Sequence, residues 1–162
     1  MRTHERVSSR NNDPTSYLHD KITTRAIQHF RNISAEELSY LLSAASDLPD
    51  LPEISKVEVK REYLIQTDTG WTVGYADMLV HFHFPFPFQF SRGGSTMTLL
   101  CEVKPYPFLI GETIRQINTY RAHMLSNTVY AVVTDKCSQH VMEELADERI
   151  SVIIPEEPLV LE

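Results

Sequence analysis

The sequence predicts an α/β fold in which helices flank a mixed central sheet. Apolar residues recur every four positions between Leu18 and Phe30, which is the spacing of a helix. They alternate in residues 57–65, which is the spacing of a strand. The apolar runs 128–134 and 150–154 are separated by a helical segment, and this order normally produces parallel pairing. The sheet should therefore contain both antiparallel and parallel strands.

The helices come first. Residues 1–13 are polar and are expected to form a flexible N-terminal arm, which leaves residues 14–162 as a single domain. The apolar spacing described above predicts a helix at the start of that domain. Ser34 followed by Glu37 matches the capping box, so a second helix should run to about Ala45.

Three strands and an alternation of helices and strands should follow. The strands are predicted at residues 57–65, 71–84 and 96–104, with a turn at 67–70. Pro85 and Pro87 lack an N–H, so the second strand should end near Phe84. The later elements are a helix at 112–125, a strand at 128–134, a C-terminal helix around 141–145 and a strand at 150–154.

Composition and charge narrow the class of protein. The net charge of −7 argues against a protein that holds nucleic acid by electrostatics alone. No apolar run approaches the roughly 20 residues of a membrane helix, and the polar start has no signal-peptide core. The two cysteines, Cys101 and Cys137, form neither a disulfide framework nor a zinc pattern, so both should be free thiols. These features predict a cytoplasmic protein without membrane contact.

Three charged residues stand on apolar strands. Glu102 and Lys104 lie two residues apart at the end of the strand 96–104, so their side chains should share a face. Asp77 lies within the apolar strand 71–84, where an uncompensated carboxylate costs several kcal/mol. If these strands pair as antiparallel neighbours, the two carboxylates can come close together.

A hard, oxygen-binding cation such as Mg²⁺ would relieve the repulsion between Asp77 and Glu102. A lysine beside the pair could orient a water molecule or stabilise the charge that develops on a phosphate. Together, these groups are the parts of metal-assisted phosphodiester hydrolysis. The alternative interpretation of Glu102 and Lys104, taken without Asp77, is an exposed ion pair at a frayed strand end.

The sequence resembles the PD-(D/E)XK nuclease superfamily at these residues. Asp77, Glu102, Val103 and Lys104 match its D…(D/E)xK signature, and IRQINTYR supplies Gln116 and a tyrosine on the next helix. The resemblance covers roughly residues 15 to 134. It implies a restriction-endonuclease-like αβββαβ core. It also implies that Gln116 positions Lys104 or the water, and that the backbone carbonyl of Val103 adds a metal ligand.

The resemblance implies a Mg²⁺-dependent nuclease, with Mn²⁺ as a substitute. Its expected substrate is nucleic acid, with DNA expected ahead of RNA. The expected catalytic residues are Asp77, Glu102, Lys104 and Gln116, and the expected metal ligands are Asp77, Glu102 and Val103. The alternative is a catalytically silent nuclease-like module that binds nucleic acid or serves assembly. Family members often add an acid to the metal site, and four residues remain open for that role: Asp20, Glu36, Glu37 and Glu62.

Two further features allow a functional and a structural interpretation. His81 and His83 share the strand face of Asp77 by alternation, which suggests an Asp/His/His metal site or simple packing at the strand end. The aromatic stretch Phe82–Phe90 is either a base-stacking loop or a surface that is covered by a second copy or by the domain itself. We expect the covered surface, either within the domain or against a second copy in a homodimer.

Overall fold

The computed structural model describes residues 14–46, 50–87 and 95–156. Within these ranges it contains four α-helices and five β-strands, numbered here in chain order. Their bounds are α1 Pro14–Asn32, α2 Ala35–Leu41, β1 Lys56–Gln66, β2 Thr72–His83, β3 Thr96–Val103, α3 Ile110–Arg121, β4 Val129–Val133, α4 Gln139–Asp147 and β5 Ile150–Ile153. The predicted arm, residues 1–13, lies outside the described residues.

The five strands form one sheet in the order β1-β2-β3-β4-β5. The pairs β1–β2 and β2–β3 are antiparallel, whereas β3–β4 and β4–β5 are parallel. Helices α3 and α4 connect the parallel neighbours, as a crossover connection requires. The predicted α/β class with a mixed sheet and a C-terminal helix and strand is therefore confirmed. No helix in the described part of the chain is long and apolar enough to cross a bilayer.

The sheet carries a buried layer on each side. Helices α1 and α2 cover one side, where Phe30 and Leu38 pack with Val80 of β2. Helices α3 and α4 cover the other side, where Ile117 packs with Leu79 of β2. Leu79 and Val80 are consecutive residues and enter opposite layers, as the alternation of a strand requires.

The second helix is shorter than predicted. The Oγ atom of Ser34 accepts a hydrogen bond from the Glu37 N–H at 3.1 Å, which is the expected N-cap. Helix α2 nevertheless ends at Leu41 and turn residues follow it to Ala45. The N–H of Ala45 donates to the Oγ atom of Ser151 on β5 at 3.1 Å. The same N–H also donates to the Leu42 carbonyl at 3.1 Å, which is the bond of a turn, so the chain after Leu41 continues as turn rather than α-helix.

The alternation of strand faces breaks at Asp77. Ala76 and Met78 are two residues apart and should share a face, yet Ala76 packs in the α3–α4 layer and Met78 in the α1–α2 layer. On the neighbouring strand, Glu62 lies between the paired positions Arg61–Met78 and Tyr63–Ala76, and its φ of 50° is in the left-handed region. Backbone irregularity of this kind often lies beside functional sites. Here it rotates the strand at the residue that the sequence singles out.

The aromatic stretch Phe82–Phe90 divides between core and surface. Phe82 and Phe84 are 0 % and 3 % exposed and pack in the α1–α2 layer of their own chain. Phe86 is exposed. Phe88 and Phe90 lie outside the described residues. Phe82 and Phe84 are thus covered by the domain itself, which is one of the two predicted covers, and the homodimer stays a prediction.

Both cysteines are free, as predicted. Cys101 is fully buried on β3 and packs in the α1–α2 layer, and burial raises the pKa of its thiol. Cys137 is partly buried just before α4, and burial raises the pKa of this thiol as well. Thiols with raised pKa values are poor nucleophiles at neutral pH. We therefore give neither cysteine a chemical role.

Candidate active site

The Asp77 carboxylate lies where the pairing of β2 with β3 ends. Met78 and Cys101 form the last paired positions toward the carboxyl end of β3. Beyond them, the Oδ2 atom of Asp77 accepts a hydrogen bond from the Val103 N–H at 2.7 Å. The Val103 N–H is thus paired with the side-chain oxygen of Asp77 rather than with a backbone carbonyl of β2. The expected metal ligand is the carbonyl of Val103, not its N–H. That ligand role therefore stays a prediction.

The Glu102 side chain lies beside Asp77 and is almost fully buried. It is 3 % exposed, and its Oε1 atom has no hydrogen-bond partner among the described residues. Burial raises the pKa of Glu102 to about 9, and the charge of Asp77 acts in the same direction. At neutral pH Glu102 is therefore a protonated acid that can donate to the ionised Asp77. The sequence predicted this proximity of two acids.

Asp77 itself stays ionised. Burial would raise the pKa of Asp77, but hydrogen bonds from the His19 side chain and the Val103 N–H outweigh that effect and lower the pKa. The two neighbouring carboxyl groups therefore have pKa values that are pushed in opposite directions. Such divergence between adjacent acids is typical of catalytic sites.

Lys104 follows β3 and approaches the same acid. Its Nζ atom lies 4.0 Å from the Oε2 atom of Glu102, which is too long for a hydrogen bond. The Lys104 side chain is 29 % exposed, so the ammonium stands between the buried acids and solvent. Cys101 and Val103 pack in the layer on the other side. Glu102 and Lys104 thus share a face, as the sequence predicted.

Gln116 and Tyr120 join helix α3 to the strand that carries Asp77. The Nε2 atom of Gln116 donates to the Tyr120 hydroxyl at 3.0 Å, and that hydroxyl donates to the backbone carbonyl of Tyr75 at 3.1 Å. The Tyr120 ring covers Gly74, where an added Cβ would lie 3.0 Å from Cε1 of the ring. The Tyr120 hydroxyl thus holds the side chain of Gln116 in place. No hydrogen bond between described residues joins Gln116 to Lys104.

His19 of α1 completes the group, and it was given no firm role from the sequence. Its Nε2 atom lies 3.2 Å from the Oδ1 atom of Asp77. Its Nδ1 atom lies 3.6 Å from the Oδ1 atom of Asp20. The hydrogen bond to Asp77 is the main cause of the raised pKa of His19. One signal was available, since His19 lies one turn before Ile22 on the buried stripe of α1.

The four acids left open for the metal site do not behave alike. Asp20 contacts His19, with 3.6 Å between its Oδ1 atom and the histidine Nδ1 atom. Glu36 is exposed at the start of α2, and Glu37 contacts His29, with 3.4 Å between its Oε1 atom and the histidine Nε2 atom. Glu62 is exposed on β1. The described contacts therefore favour Asp20 over the other three.

His81 and His83 lie apart from this group. Their Nδ1 atoms are each 3.0 Å from a threonine hydroxyl of β3, that of Thr98 and that of Thr96 respectively. The Nε2 atom of His83 is 3.3 Å from the Oε2 atom of Glu58. Neither histidine contacts Asp77, so the alternative Asp/His/His site is wrong and both residues serve packing at the strand end.

The residues present fit a divalent cation. The buried carboxyl group of Glu102 stands beside the carboxylate of Asp77, which is 23 % exposed, and one oxygen of Glu102 has no partner among the described residues. Oxygen donors of this kind suit Mg²⁺, which keeps several waters and needs only one or two carboxylates. The described residues do not contain three or more acidic, histidine or cysteine side chains already grouped around one ion position. Asp77 and Glu102 are therefore the side chains that would hold the ion.

No protein-family model and no curated protein matches the chain.

Proposed function

We propose that this protein is a metal-dependent nuclease with a restriction-endonuclease-like core, and that it hydrolyses phosphodiester bonds in nucleic acid, most directly in DNA. One observation carries the proposal. The carboxyl group of Glu102 is buried beside Asp77, has a pKa near 9 and leaves one oxygen unpaired among the described residues. Burying an acid in this way destabilises the fold. A bound divalent cation would reverse that cost by favouring the ionised form of Glu102.

Each residue has a role that follows from its position. Asp77 and Glu102 hold Mg²⁺, with Mn²⁺ as a substitute, and the carbonyl of Val103 is the third expected ligand. The ion supplies positive charge at the scissile phosphate and lowers the pKa of water. Lys104 stands between the buried acids and solvent, where its ammonium can stabilise charge on the phosphate or orient the attacking water.

His19 and Gln116 act around this centre. His19 donates to Asp77 and fixes the orientation of the carboxylate. Gln116, held by the Tyr120 hydroxyl, stands on the helix that covers the site and serves to position Lys104 or the water. Tyr120 in turn binds the Tyr75 carbonyl, two residues before Asp77. Helix α3 and the Asp77 strand are therefore linked by hydrogen bonds that keep the site in register.

The test is a panel of substrates incubated with Mg²⁺ or Mn²⁺: linear, circular, single-stranded and branched DNA, and RNA. We expect cleavage of at least one substrate by the wild type, and none by Asp77→Ala or Glu102→Ala. Lys56→Ala is the control, because Lys56 lies at the opposite end of β1 and pairs with Glu58. Metal-dependent cleavage by Asp77→Ala at the wild-type rate contradicts the proposal.

The second candidate is a nuclease-like module without turnover. It is favoured by the absence, in the described residues, of a third acidic ligand already in place. A protein that binds nucleic acid in the panel but cleaves none of the substrates with either metal would support this candidate. The paired acids argue for the enzyme, since a binding module gains nothing from a buried, destabilising Glu102.

A further inference from the structure

Two aromatic side chains stand exposed on the hairpin that carries Asp77. Trp71 is 76 % exposed and Tyr75 is 60 % exposed. Trp71 lies in the turn between β1 and β2, and Tyr75 lies within β2, two residues before Asp77. Tryptophan is highly buried on average, so a largely exposed indole on the hairpin that carries Asp77 needs an explanation. Neither ring contributes to the buried layers of the domain.

Both residues are presented on fixed backbone. The Thr67 N–H donates to the Trp71 carbonyl at 2.9 Å, and the Trp71 N–H donates to the Thr67 hydroxyl at 3.1 Å. Gly70 makes this turn with a φ of 88°, which glycine adopts without strain. The Tyr75 carbonyl is held by the Tyr120 hydroxyl. The two rings therefore project from ordered positions, which keeps the entropic cost of binding a planar partner low.

The two aromatic residues lie at increasing distances from Asp77 along the hairpin. A strand advances by about 3.3 Å per residue, so the Tyr75 backbone lies about 7 Å from that of Asp77 and Trp71 about 20 Å from it. This is a distance that a short stretch of extended oligonucleotide covers. The arrangement therefore resembles a track along the hairpin rather than isolated exposed residues.

One cation of β1 lies on the same side of the sheet as Tyr75. Arg61 pairs with Met78 of the α1–α2 layer, and Tyr75 precedes Ala76 of the α3–α4 layer, so both side chains point to the α1–α2 side. Arg61 is exposed and makes no ion pair or hydrogen bond with a described residue, whereas its neighbour Lys60 points to the other side. The acids of β1 and of the turn, Glu58, Glu62 and Asp68, offset this charge. Because the whole chain carries −7, electrostatic attraction alone is weak, and aromatic stacking would have to supply affinity.

We propose that Trp71 and Tyr75 stack on unpaired bases of single-stranded DNA, whose backbone passes Arg61 on its way to the Asp77–Glu102 site. The inference rests on the proposed nuclease function and names its substrate class. A base inside a duplex is already stacked on both faces and offers only its edges to a protein. Single strands, or duplex ends and junctions with unpaired bases, therefore fit this surface, and uninterrupted duplex does not.

The test uses the fluorescence of Trp71, which is the only tryptophan of the chain. Full-length protein is titrated in EDTA, so that no cleavage occurs, with a 20-nucleotide oligo(dT) and separately with a blunt 20-base-pair duplex. We expect the single strand to quench the tryptophan emission and the duplex to leave it nearly unchanged. Equal quenching by duplex, or no quenching by the single strand, overturns the proposal.

Substitutions separate stacking from general attraction. With a labelled oligo(dT) and fluorescence anisotropy, Trp71→Ala and Tyr75→Ala should each weaken binding about ten-fold. Tyr40→Ala is the matched control, because Tyr40 is 78 % exposed on α2, away from the hairpin, and it should bind like the wild type. Equal Kd values for all four proteins contradict the proposal. A thermal melt of each variant confirms that the fold is intact, which is expected for exposed side chains.

The two proposals can fail separately. Metal-dependent cleavage of duplex by a protein whose Trp71 emission ignores oligo(dT) would refute the stacking surface and leave the nuclease standing. Quenching by oligo(dT) without cleavage of any substrate would refute the nuclease and leave the surface as a binding site for single strands.

Discussion

The Asp77 carboxylate accepts a hydrogen bond from the Val103 N–H at 2.7 Å, at the point where β2 and β3 stop pairing. This one contact places a residue of the second strand against the backbone of the D…ExK segment. It also brings the Asp77 carboxylate beside the buried Glu102 side chain, whose pKa it raises.

Replacing Glu102 with glutamine should stabilise the metal-free protein at neutral and basic pH. The pKa of Glu102 is about 9 in the folded protein against an ordinary value of 4.5. The contribution of protonated Glu102 to the free energy of unfolding is therefore complete below pH 4.5 and is lost as pH rises toward 9. Glutamine does not titrate, so the excess in Tm of Glu102→Gln over wild type should grow from pH 5 to pH 8. Thermal melts in EDTA measure it, and a constant difference across this range contradicts the burial of Glu102.

His19→Ala should destabilise the protein most near pH 5. The pKa of His19 is raised by its hydrogen bond with Asp77, so the contribution of charged His19 is complete below pH 6.5 and is lost as pH rises through the raised value. The pKa of Asp77 is lowered, so its contribution is present above its ordinary value of 3.8 and lost in acid. Both groups are charged between these limits. Denaturant melts at pH 5 and pH 9 test this, and a larger loss at pH 9 would show that the ion pair is unimportant.

Gly74→Ala and Gly111→Ala should have opposite effects on stability. A methyl group at Gly74 meets the Tyr120 ring at 3.0 Å, and that ring is held by two hydrogen bonds, so we expect a loss of about 1–3 kcal/mol. A methyl group at Gly111 in helix α3 meets nothing within 4 Å, and alanine there should stabilise by about 0.5–1 kcal/mol. Urea unfolding of both variants gives the comparison.

The Tyr120 ring provides the control for Gly74→Ala. In a Tyr120→Ala background the added methyl group has no ring to meet, so Gly74→Ala should lose its cost. If Gly74→Ala destabilises both backgrounds equally, the contact between Tyr120 and Gly74 does not control the docking of helix α3. Tyr120→Phe should cost about 1 kcal/mol for the lost hydrogen bonds, with the ring contact retained.

The elements of the fold could be predicted because their signals are local. The four-residue spacing around Ile22 and the cap at Ser34 specify helices within short windows, and the apolar run at 129–133 specifies a buried strand. The pairing of acid and lysine on one face of β3 followed from strand alternation alone. Boundaries were less accurate where a distant residue intervened, as at Ala45, which binds Ser151 across the fold.

The parts of the site that could not be predicted depend on distant contacts. The change of face at Asp77 arises with the unusual backbone of Glu62 on another strand, and no local pattern encodes it. His19 contacts Asp77 across 58 residues of sequence, and the stripe on α1 shows only that it points inward. The burial of Phe82 and Phe84 by their own chain likewise depends on how α1 packs on β2. Each is a property of packing between elements.

The metal-dependent stabilisation should require the acids but not the lysine. At a metal concentration of 100 times Kd, binding adds about 2.7 kcal/mol to the stability of the folded state. Wild type should therefore show a clear rise in Tm with Mg²⁺ or Mn²⁺, and Asp77→Ala should show none. A similar rise in Asp77→Ala would place the ion elsewhere on the protein.

The most direct test of the account is to measure metal binding and cleavage together in Lys104→Ala. Lys104 stands 4.0 Å from Glu102 and forms none of the expected metal contacts, so its removal should leave metal-dependent stabilisation largely intact. Cleavage of the best substrate from the panel should be abolished, because the ammonium beside the phosphate is gone. The account predicts a Lys104→Ala protein that binds metal like wild type and does not cut, and cleavage by Lys104→Ala at the wild-type rate would contradict it.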